Sequence, residues 1–426
     1  MKTIYLITGA AGHLGSVLVR KLCAKGETVR ALVLPNDPNA ALLPKQAQLC
    51  YGDVTQPETI APYFQRQAGE VLMVIHAAGI VSISSHYDPK VHQVNVRGTA
   101  NVVNLCRRYK ADKLVYVSSV HAIRELPKGQ TMGEVKQFDY HNVVGLYAKT
   151  KAAATALVLR AAHKGLNASV VHPSGIFGPF DPGHGHLTQL VIDYCKGSLT
   201  AGVQGGYDFV DVRDVADGIL SCCKLGKRGE CYMLSNRYYT LKEVLDLCSK
   251  ITGHKPIHTY LPMWFAKGTA FLSEVYYKIR RQPPLYTSYS LYTVSGNAAF
   301  SHRKADLELG YHPRSLESTL RDSIGWLEIL GRIPPQKKLA ALGQGKGCGP
   351  AGCPGPAPVP GAAGPGGGTG PGADGLGRPS SGGLAALRLV LGQHPFFESA
   401  VCPKGVPGTG LGKPAAAALG RGDETA

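Results

Sequence analysis

Short apolar runs alternate with longer amphipathic stretches over roughly the first 170 residues of the chain. The short runs have the length and composition of buried strands, and several of the stretches between them repeat apolar residues at helical spacing. The predicted strands are Thr3–Ile7, Thr28–Leu34, Val71–His76, Lys113–Ser118 and Ala168–His172, and the predicted helices include Gly15–Lys25, Val94–Tyr109 and Tyr147–Lys164. This alternation predicts an α/β fold, a doubly wound parallel sheet with helices on both faces.

From about residue 175 to residue 333 the pattern is less regular, and a segment of different composition follows it. Helices are predicted at Leu187–Cys195, Val212–Cys222, Leu241–Thr252 and Leu316–Leu330. After the Pro334-Pro335 pair, 21 of the 34 residues from Gly343 to Leu376 are Gly or Pro, without a period of three. Because such a composition cannot bury a core, we predict a folded part, residues 1–333, and a disordered Gly/Pro/Ala-rich tail, residues 334–426.

The formal net charge of the 426-residue chain is +17, but its 46 Lys and Arg residues are scattered rather than gathered in a run. We interpret the excess as a solvated basic surface, with attraction of an anionic cofactor or substrate as the alternative. Charge alone does not indicate nucleic-acid binding, and we expect no nucleic-acid partner.

The eight cysteines that precede the tail show no CxxC spacing, and several lie in apolar runs. This usage favours buried, reduced thiols over a disulfide framework or a metal site. The apolar stretch Ile4–Ile7 is too short for a signal peptide, and no window supplies the ~18 apolar residues that a membrane helix needs. We therefore expect a cytoplasmic protein without a metal or a membrane partner, and a homodimer is compatible with this expectation.

A glycine-rich turn, Thr8–Gly15 with the sequence TGAAGHLG, joins the first predicted strand to the first predicted helix. Gly9 permits the tight turn, Gly12 lets the backbone approach a pyrophosphate and is expected at positive φ, and Gly15 lets helix and strand pack closely. The helix start then offers unpaired N–H groups to phosphates. The turn therefore predicts a dinucleotide site. Its predicted cofactor contacts are Gly9, Gly12, His13, Leu14 and Gly15.

The end of the second predicted strand should distinguish NAD from NADP. An acidic residue there would bond the ribose hydroxyls of NAD, whereas a basic residue would favour the phosphate of NADP. Leu34 occupies this position, and Asp37 lies slightly downstream, from where it could reach back. The predicted cofactor is therefore NAD or NADP, and the sequence makes no choice between them.

Tyr147 and Lys151 form a YxxxK motif on a predicted helix, and the pair Ser118-Ser119 lies at the end of a predicted strand about 28 residues earlier. A spacing of four puts the tyrosine and the lysine on one helix face. A phenol with a pKa of about 10 is a poor acid–base catalyst at neutral pH, but a neighbouring ammonium favours the phenolate and lowers that pKa. The motif therefore predicts proton transfer at a substrate oxygen.

The glycine turn, the Asn95–Thr99 segment with the sequence NVRGT, the Val-Ser-Ser strand end and YxxxK occur in an order that resembles the extended short-chain dehydrogenase/reductases. The resemblance covers about residues 3–333. It implies a Rossmann-type sheet in a cofactor-binding core, about residues 1–172. A smaller, mostly substrate-binding region would follow, about residues 173–333.

The same resemblance implies a role for each residue of the catalytic group. Tyr147 would be the general acid/base for the substrate oxygen, and Ser119 would bond that oxygen. Lys151 would hold the nicotinamide ribose and lower the pKa of the tyrosine. Asn95 would support a proton relay through water.

Other cofactor contacts follow from the resemblance. Asp53 would contact the adenine ring, although it could instead cap the helix that follows. The implied contacts are Asp53, Val54, Ala77, Ala78, Gly79, Pro173, Ser174, Gly175 and Ile176.

The residue at position 207, a tyrosine, helps to distinguish two branches of this family. Nucleotide-sugar epimerases and dehydratases usually grip a substrate pyrophosphate with an arginine at this place, and a phenol cannot replace a bidentate guanidinium. The Phe300–Tyr311 stretch also resembles the dihydroflavonol reductase and 3β-hydroxysteroid dehydrogenase branch. We therefore expect an NAD(P)-dependent reductase or dehydrogenase of a small, fairly apolar alcohol, ketone or aldehyde. The alternatives are a nucleotide-sugar epimerase or dehydratase and a non-catalytic NAD(P)-binding sensor.

Overall fold

The computed structural model describes residues 1–82, 87–182, 185–269 and 288–336. Its main sheet has seven parallel strands: β1 (Thr3–Thr8), β2 (Thr28–Val33), β3 (Gln48–Tyr51), β4 (Val71–His76), β5 (Lys113–Val117), β6 (Ala168–Pro173) and β10 (Cys231–Leu234). The order across the sheet is β3-β2-β1-β4-β5-β6-β10. The direction of winding reverses between β1 and β4, and sheets of this kind bind ligands outside the carboxyl ends of the strands at that point.

Helices cover both faces of the main sheet, and other helices pack against the smaller strands described below. The helices are α1 (His13–Ala24), α2 (Pro57–Ile60), α3 (Pro89–His92), α4 (Thr99–Arg108), α5 (Leu146–His163), α6 (His186–Cys195), α7 (Val212–Leu225), α8 (Leu241–Thr252), α9 (Ser288–Ser295), α10 (Arg303–Leu309) and α11 (Leu316–Ile329). Because side chains alternate along a strand, Tyr5 and Ile7 of β1 pack with α1 and α7, whereas Ile4 and Leu6 pack with α4 and α5. The two apolar clusters hold the strand ends in place beneath the site.

A smaller set of strands lies beyond β6. A three-stranded sheet contains β7 (Gly175–Phe177), β9 (Gly206–Asp211) and β11 (Tyr238–Thr240), and β8 (Gly202–Val203) pairs with β12 (Tyr260–Leu261). These strands share a separate apolar cluster with α6, α8 and α11. The helix α7 and the strand β10, however, belong to the layers of the main sheet.

The predicted α/β class and Rossmann-type sheet are confirmed. The ends of the predicted elements differ from the observed ones by at most three residues, apart from the start of α4, which lies five residues after the predicted start. The helix predicted at Val94–Tyr109 contains a π-helical turn, Gln93–Gly98, which is followed directly by α4. The predicted boundary near residue 172 stays a prediction, and the predicted tail lies outside the described residues except for residues 334–336.

Each of the eight cysteines in the described part of the chain is a free thiol, and all but Cys23 are buried. Burial raises the pKa of these thiols, for example that of Cys50 to about 11. None of the helices in the described residues is both long and apolar enough to cross a membrane.

Candidate active site

The glycine turn lies at the carboxyl end of β1 and touches the loop that follows β4. Gly9 has φ +69°, and a Cβ built there would lie 2.8 Å from Ala78 Cα. Gly15 is equally constrained, because its Cβ would lie 2.1 Å from Gly9 O. The two glycines therefore perform the structural tasks predicted for them.

The expected positive φ at Gly12 is wrong. Gly12 is the N-cap of α1 with φ −75° and ψ 173°, an extended conformation that any residue can adopt. A Cβ there would meet only Gly9 O, at 3.3 Å. Gly12 caps α1 without a side chain, so the helix presents its first N–H groups to the space outside β1. Next to it, His13 Nε2 lies 3.0 Å from Pro179 O and ties the turn to the segment after β7.

The cleft outside the carboxyl ends of β1 and β4 extends toward the ends of β2 and β3, where the carboxylates of Asp37 and Asp53 accept hydrogen bonds from nearby backbone N–H groups. Leu34 is 52% exposed and has no polar group for either cofactor. Asp37 accepts a hydrogen bond from Asn39 N (2.9 Å) and caps a short turn. Asp53 accepts one from Thr55 N (2.8 Å), whereas Gln56 is the N-cap of α2, so the alternative role of Asp53 as the cap of that helix is wrong. Its adenine contact, like those of the neighbouring Val54, stays a prediction.

The catalytic group predicted from the YxxxK motif comes together at the carboxyl end of β5. Tyr147 and Lys151 are buried on α5, and Ser119 is buried directly after β5. Lys151 Nζ donates to Val117 O (2.9 Å) and lies 5.2 Å from the ring centre of Tyr116. The Ser119 hydroxyl interacts with the phenol of Tyr147.

Burial sets the protonation states of this group. It raises the pKa of Tyr147 to about 12, and the hydrogen bond with Ser119 opposes it only in part. It also lowers the pKa of Lys151 to about 8. The phenol is therefore protonated at neutral pH, which is the form that donates a proton to a carbonyl oxygen. The predicted lowering of the tyrosine pKa by Lys151 stays a prediction.

Asn95 lies in the π-helical turn and is fully buried. Its amide nitrogen donates to Ile80 O (3.0 Å) and Thr150 Oγ1 (3.1 Å), and its Oδ1 accepts from Ile80 N (2.8 Å). The side chain thus pins the loop after β4 to α5. A Cβ built on Gly79 of this loop would lie 3.2 Å from Asn95 Oδ1 and 3.3 Å from Lys151 Nζ. The predicted proton relay through Asn95 stays a prediction.

A row of hydrogen bonds beneath the cleft was missed by the sequence analysis. Thr99 Oγ1 donates to Asn95 O (2.7 Å), so its oxygen must accept from His76 Nε2 (2.9 Å). Burial lowers the pKa of His76 to about 3, so the ring is neutral and its Nδ1 accepts from Thr8 Oγ1 (2.7 Å). Ala78 N completes the row by donating to Thr8 Oγ1 (3.1 Å). The sequence feature that could have predicted this row is His76, a polar residue at the end of an otherwise apolar strand.

The predicted nicotinamide segment, Pro173–Ile176, lies between the two sheets. Ser174 Oγ donates to Asp208 Oδ1 (2.6 Å), and burial raises the pKa of Asp208 to about 6. Just before this segment, His172 Nδ1 donates to Ser119 O (2.9 Å), which fixes the position of the serine backbone. The cofactor contacts of Pro173, Ser174, Gly175 and Ile176 stay predictions.

A cavity of about 260 Å³ lies beside the catalytic group. Apolar side chains, among them Val120, Ile123, Met132 and Phe300, form much of its lining. His121 and Tyr207 also line it, and neither was assigned to the site from the sequence. Arg124, Glu125, Asn142 and Asn297 line it as well, so the cavity offers polar as well as apolar contacts to a small molecule.

These residues fit a nicotinamide dinucleotide. The glycine turn leaves the start of α1 open, where N–H groups could hold a pyrophosphate. A Cβ at Gly79 would fill the space between Asn95 and Lys151, so the glycine keeps open the place where the resemblance puts the ribose. Beside that place, Lys151 supplies a buried ammonium.

Known proteins agree with this architecture. The profile described as "NAD dependent epimerase/dehydratase family" matches residues 5–234. Sterol demethylase protein B of Methylococcus capsulatus is 30% identical over 331 residues, covering 77% of this chain and 99% of that protein. The 3 beta-hydroxysteroid dehydrogenase type 7 of Mus musculus is 28% identical, covering 77% of this chain and 96% of that protein.

Solved structures are similar as well. The crystal structure of gox2253 has a TM-score of 0.68 and 31% identity, and the match covers 78% of this chain and 99% of that one. The UDP-glucose 4-epimerase of Thermotoga maritima, with a TM-score of 0.62 and 21% identity, covers 77% of this chain and 99% of its own and shares the fold. Together the matches confirm the predicted nicotinamide cofactor, NAD or NADP, and an enzyme of oxidoreductase or epimerase type.

Proposed function

Because the chain belongs to the NAD-dependent epimerase/dehydratase family, we propose that it is an NAD(P)-dependent reductase or dehydrogenase of an apolar alcohol or ketone. The observation that supports this most is the buried group of Ser119, Tyr147 and Lys151 beside a cavity whose lining includes Val120, Ile123, Met132 and Phe300. One relative is named for a sterol and another for a 3 beta-hydroxysteroid, and the second name supports a ring hydroxyl or ring ketone as the reacting function.

In this proposal Tyr147 and Ser119 act at the substrate oxygen, and Lys151 acts on the cofactor. When bound, the nicotinamide cofactor supplies or accepts the hydride. Tyr147, protonated at neutral pH, gives its phenolic proton to a carbonyl oxygen and becomes a phenolate; in the reverse direction this phenolate, and not the phenol, takes the proton of an alcohol. Ser119 donates a hydrogen bond to the same oxygen, since its own oxygen already accepts from His121 N (3.2 Å). Lys151 holds the cofactor ribose.

Tyr207 disfavours the nucleotide-sugar alternative. The phenol is buried, and its oxygen lies 3.0 Å from His121 Nε2. At the position of Tyr207 itself a substrate diphosphate would meet a neutral phenol instead of a guanidinium, and the one arginine that lines the cavity, Arg124, comes from the segment after β5. The non-catalytic sensor is disfavoured because both members of the YxxxK motif are present and buried.

Replacing Tyr147 by Phe tests the proposal. Wild-type protein is first screened by thermal shift with NAD(H) and NADP(H), and then with a panel of apolar ketones, including ring ketones, by cofactor absorbance. Tyr147→Phe removes one oxygen, so turnover should fall by roughly 10²–10⁴-fold, the usual contribution of a positioned acid/base, while the melting temperature and cofactor affinity stay close to wild type. Tyr140→Phe, at an exposed tyrosine near the start of α5, is the matched control. Turnover close to wild type in Tyr147→Phe would refute the assigned mechanism.

A further inference from the structure

Two side chains outside the predicted catalytic group form a hydrogen-bonded pair next to it. His121 follows Ser119 by two residues, and Tyr207 lies on β9. Tyr207 Oη and His121 Nε2 are 3.0 Å apart, and the two rings are nearly parallel, with an angle of 14° and centres 5.7 Å apart. Burial lowers the pKa of His121 to about 4, so the imidazole is neutral at pH 7.

His121 contacts both Tyr147 and Ser119. Its ring meets the ring of Tyr147 edge to face, with centres 6.0 Å apart and an angle of 72°. Its backbone N–H donates to Ser119 Oγ (3.2 Å), which directs the serine hydrogen away from this turn. The position of His121 therefore affects the orientation of both the Tyr147 phenol and the Ser119 hydroxyl.

Tyr207 is held rigidly enough to anchor His121. Its ring packs edge-on against Phe209 (centres 6.0 Å apart) and Phe300 (6.3 Å). On its other side, a Cβ built on Gly175 would lie only 3.0 Å from Tyr207 Cδ1, so the glycine makes room for the ring. The anchor thus belongs to the small sheet, whereas Ser119 follows β5 of the main sheet and Tyr147 lies on α5.

We propose that His121 and Tyr207 are a positioning pair, in which the hydrogen bond from the small sheet orients the imidazole and thereby holds Tyr147 and Ser119 in line with the substrate oxygen. The pair does not exchange protons with the substrate itself. This inference rests on the proposed function, because it assigns Tyr147 the proton transfer.

Four variants test the pair. Tyr207→Phe removes only the hydroxyl, His121→Leu removes the imidazole, and His121→Gln restores a polar group that can reach the tyrosine. The control is Tyr239→Phe, because Tyr239 is buried opposite Tyr207 on β11. We expect kcat to fall by about fivefold to tenfold in Tyr207→Phe and His121→Leu, the effect of one lost hydrogen bond, with the substrate KM and cofactor affinity near wild type. His121→Gln should recover much of the loss, and Tyr239→Phe should show none.

A second measurement needs no substrate. In cofactor-bound protein labelled with ¹³Cζ-tyrosine, the Tyr147 signal is assigned by its loss in Tyr147→Phe. This signal should move in Tyr207→Phe and stay in place in Tyr239→Phe. An unmoved signal, a wild-type kcat in both pair variants, a change confined to KM, or an equal loss in Tyr239→Phe would each overturn the positioning role. Retained turnover in Tyr147→Phe would instead refute the proposed function, so the two failures are distinguishable.

Discussion

At the scale of single residues, Lys151 is a buried cation that has no anionic side chain within ion-pair distance in the described part of the chain. Burial lowers its pKa to about 8, because the ammonium loses hydration that Val117 O only partly replaces. The pKa values of its neighbours His76 and His172, about 3 and about 4, keep those rings neutral above pH 6. Between pH 7 and pH 9, Lys151 is therefore the member of this group whose charge changes.

Cofactor affinity should consequently fall as the pH rises through about 8, since deprotonation of Lys151 removes the charge proposed to hold the ribose. The ammonium is present below that pH and is lost above it. The dissociation constants of NADH and NADPH, measured by fluorescence titration from pH 6.5 to pH 9.5, check this. Lys151→Met should bind more weakly at pH 7 and respond little to pH, whereas Lys149→Met, at an exposed lysine of the same helix, should behave like wild type. Parallel pH profiles for wild type and Lys151→Met would contradict the assignment.

At the scale of elements, two glycines in the turn between β1 and α1 have different roles: Gly15 allows close packing of strand and helix, and Gly12 leaves the start of α1 open. Gly15→Ala would place a Cβ against backbone atoms of Gly9 and Ala10, which cannot rotate away, so we expect a loss of roughly 1–3 kcal/mol in the free energy of unfolding. Gly12→Ala meets a single oxygen at 3.3 Å and needs no unusual φ. This variant should unfold much like wild type but bind cofactor about tenfold more weakly.

Urea denaturation and cofactor titration of both alanine variants check this prediction. If Gly12→Ala lost stability but kept its affinity, the turn would be a purely structural feature. If Gly15→Ala were as stable as wild type, the close approach of strand and helix would be wrong.

The elements also show what local pattern can predict. The longer strands and helices of the first half were predicted because each buries a continuous apolar run or stripe, as β4 and α5 do, whereas the short elements β3, α2 and α3 were missed. The four-residue strand β10 was missed, since it is defined by its pairing with β6 across some 60 residues of sequence. The pair of Tyr147 and Lys151 was predicted from spacing on one helix, and Ser119 from its place at a strand end together with the resemblance. The contact between His121 and Tyr207 was not, because it joins two sheets and no local pattern encodes it.

At the scale of the whole molecule, residues 1–336 contain every element described above. Ile333 and Gln336 are buried, and Gln336 N donates to Glu328 Oε1 (2.5 Å), so the folded part extends slightly beyond the predicted end at residue 333. The Gly/Pro-rich composition beyond this point cannot offset the entropy of ordering. A chain ending at Gln336 should therefore keep the melting temperature and the cofactor affinity of the full chain.

Differential scanning fluorimetry with and without cofactor compares the two lengths, and a third chain ending at Gly331 serves as the control. The shortest chain should melt at a lower temperature, because it lacks the buried Ile333 and Gln336. A large loss in the chain ending at Gln336 would show that the tail contributes to the fold.

The row from Ala78 through Thr8, His76 and Thr99 to Asn95 O has a consequence for proton traffic. Every hydrogen in it points the same way, and both of its ends are peptide groups, which neither release nor accept protons under ordinary conditions. The row therefore supports the residues beneath the cleft but does not conduct protons away from it. A proton that replaces the one Tyr147 is proposed to give up is therefore not expected to arrive through this row.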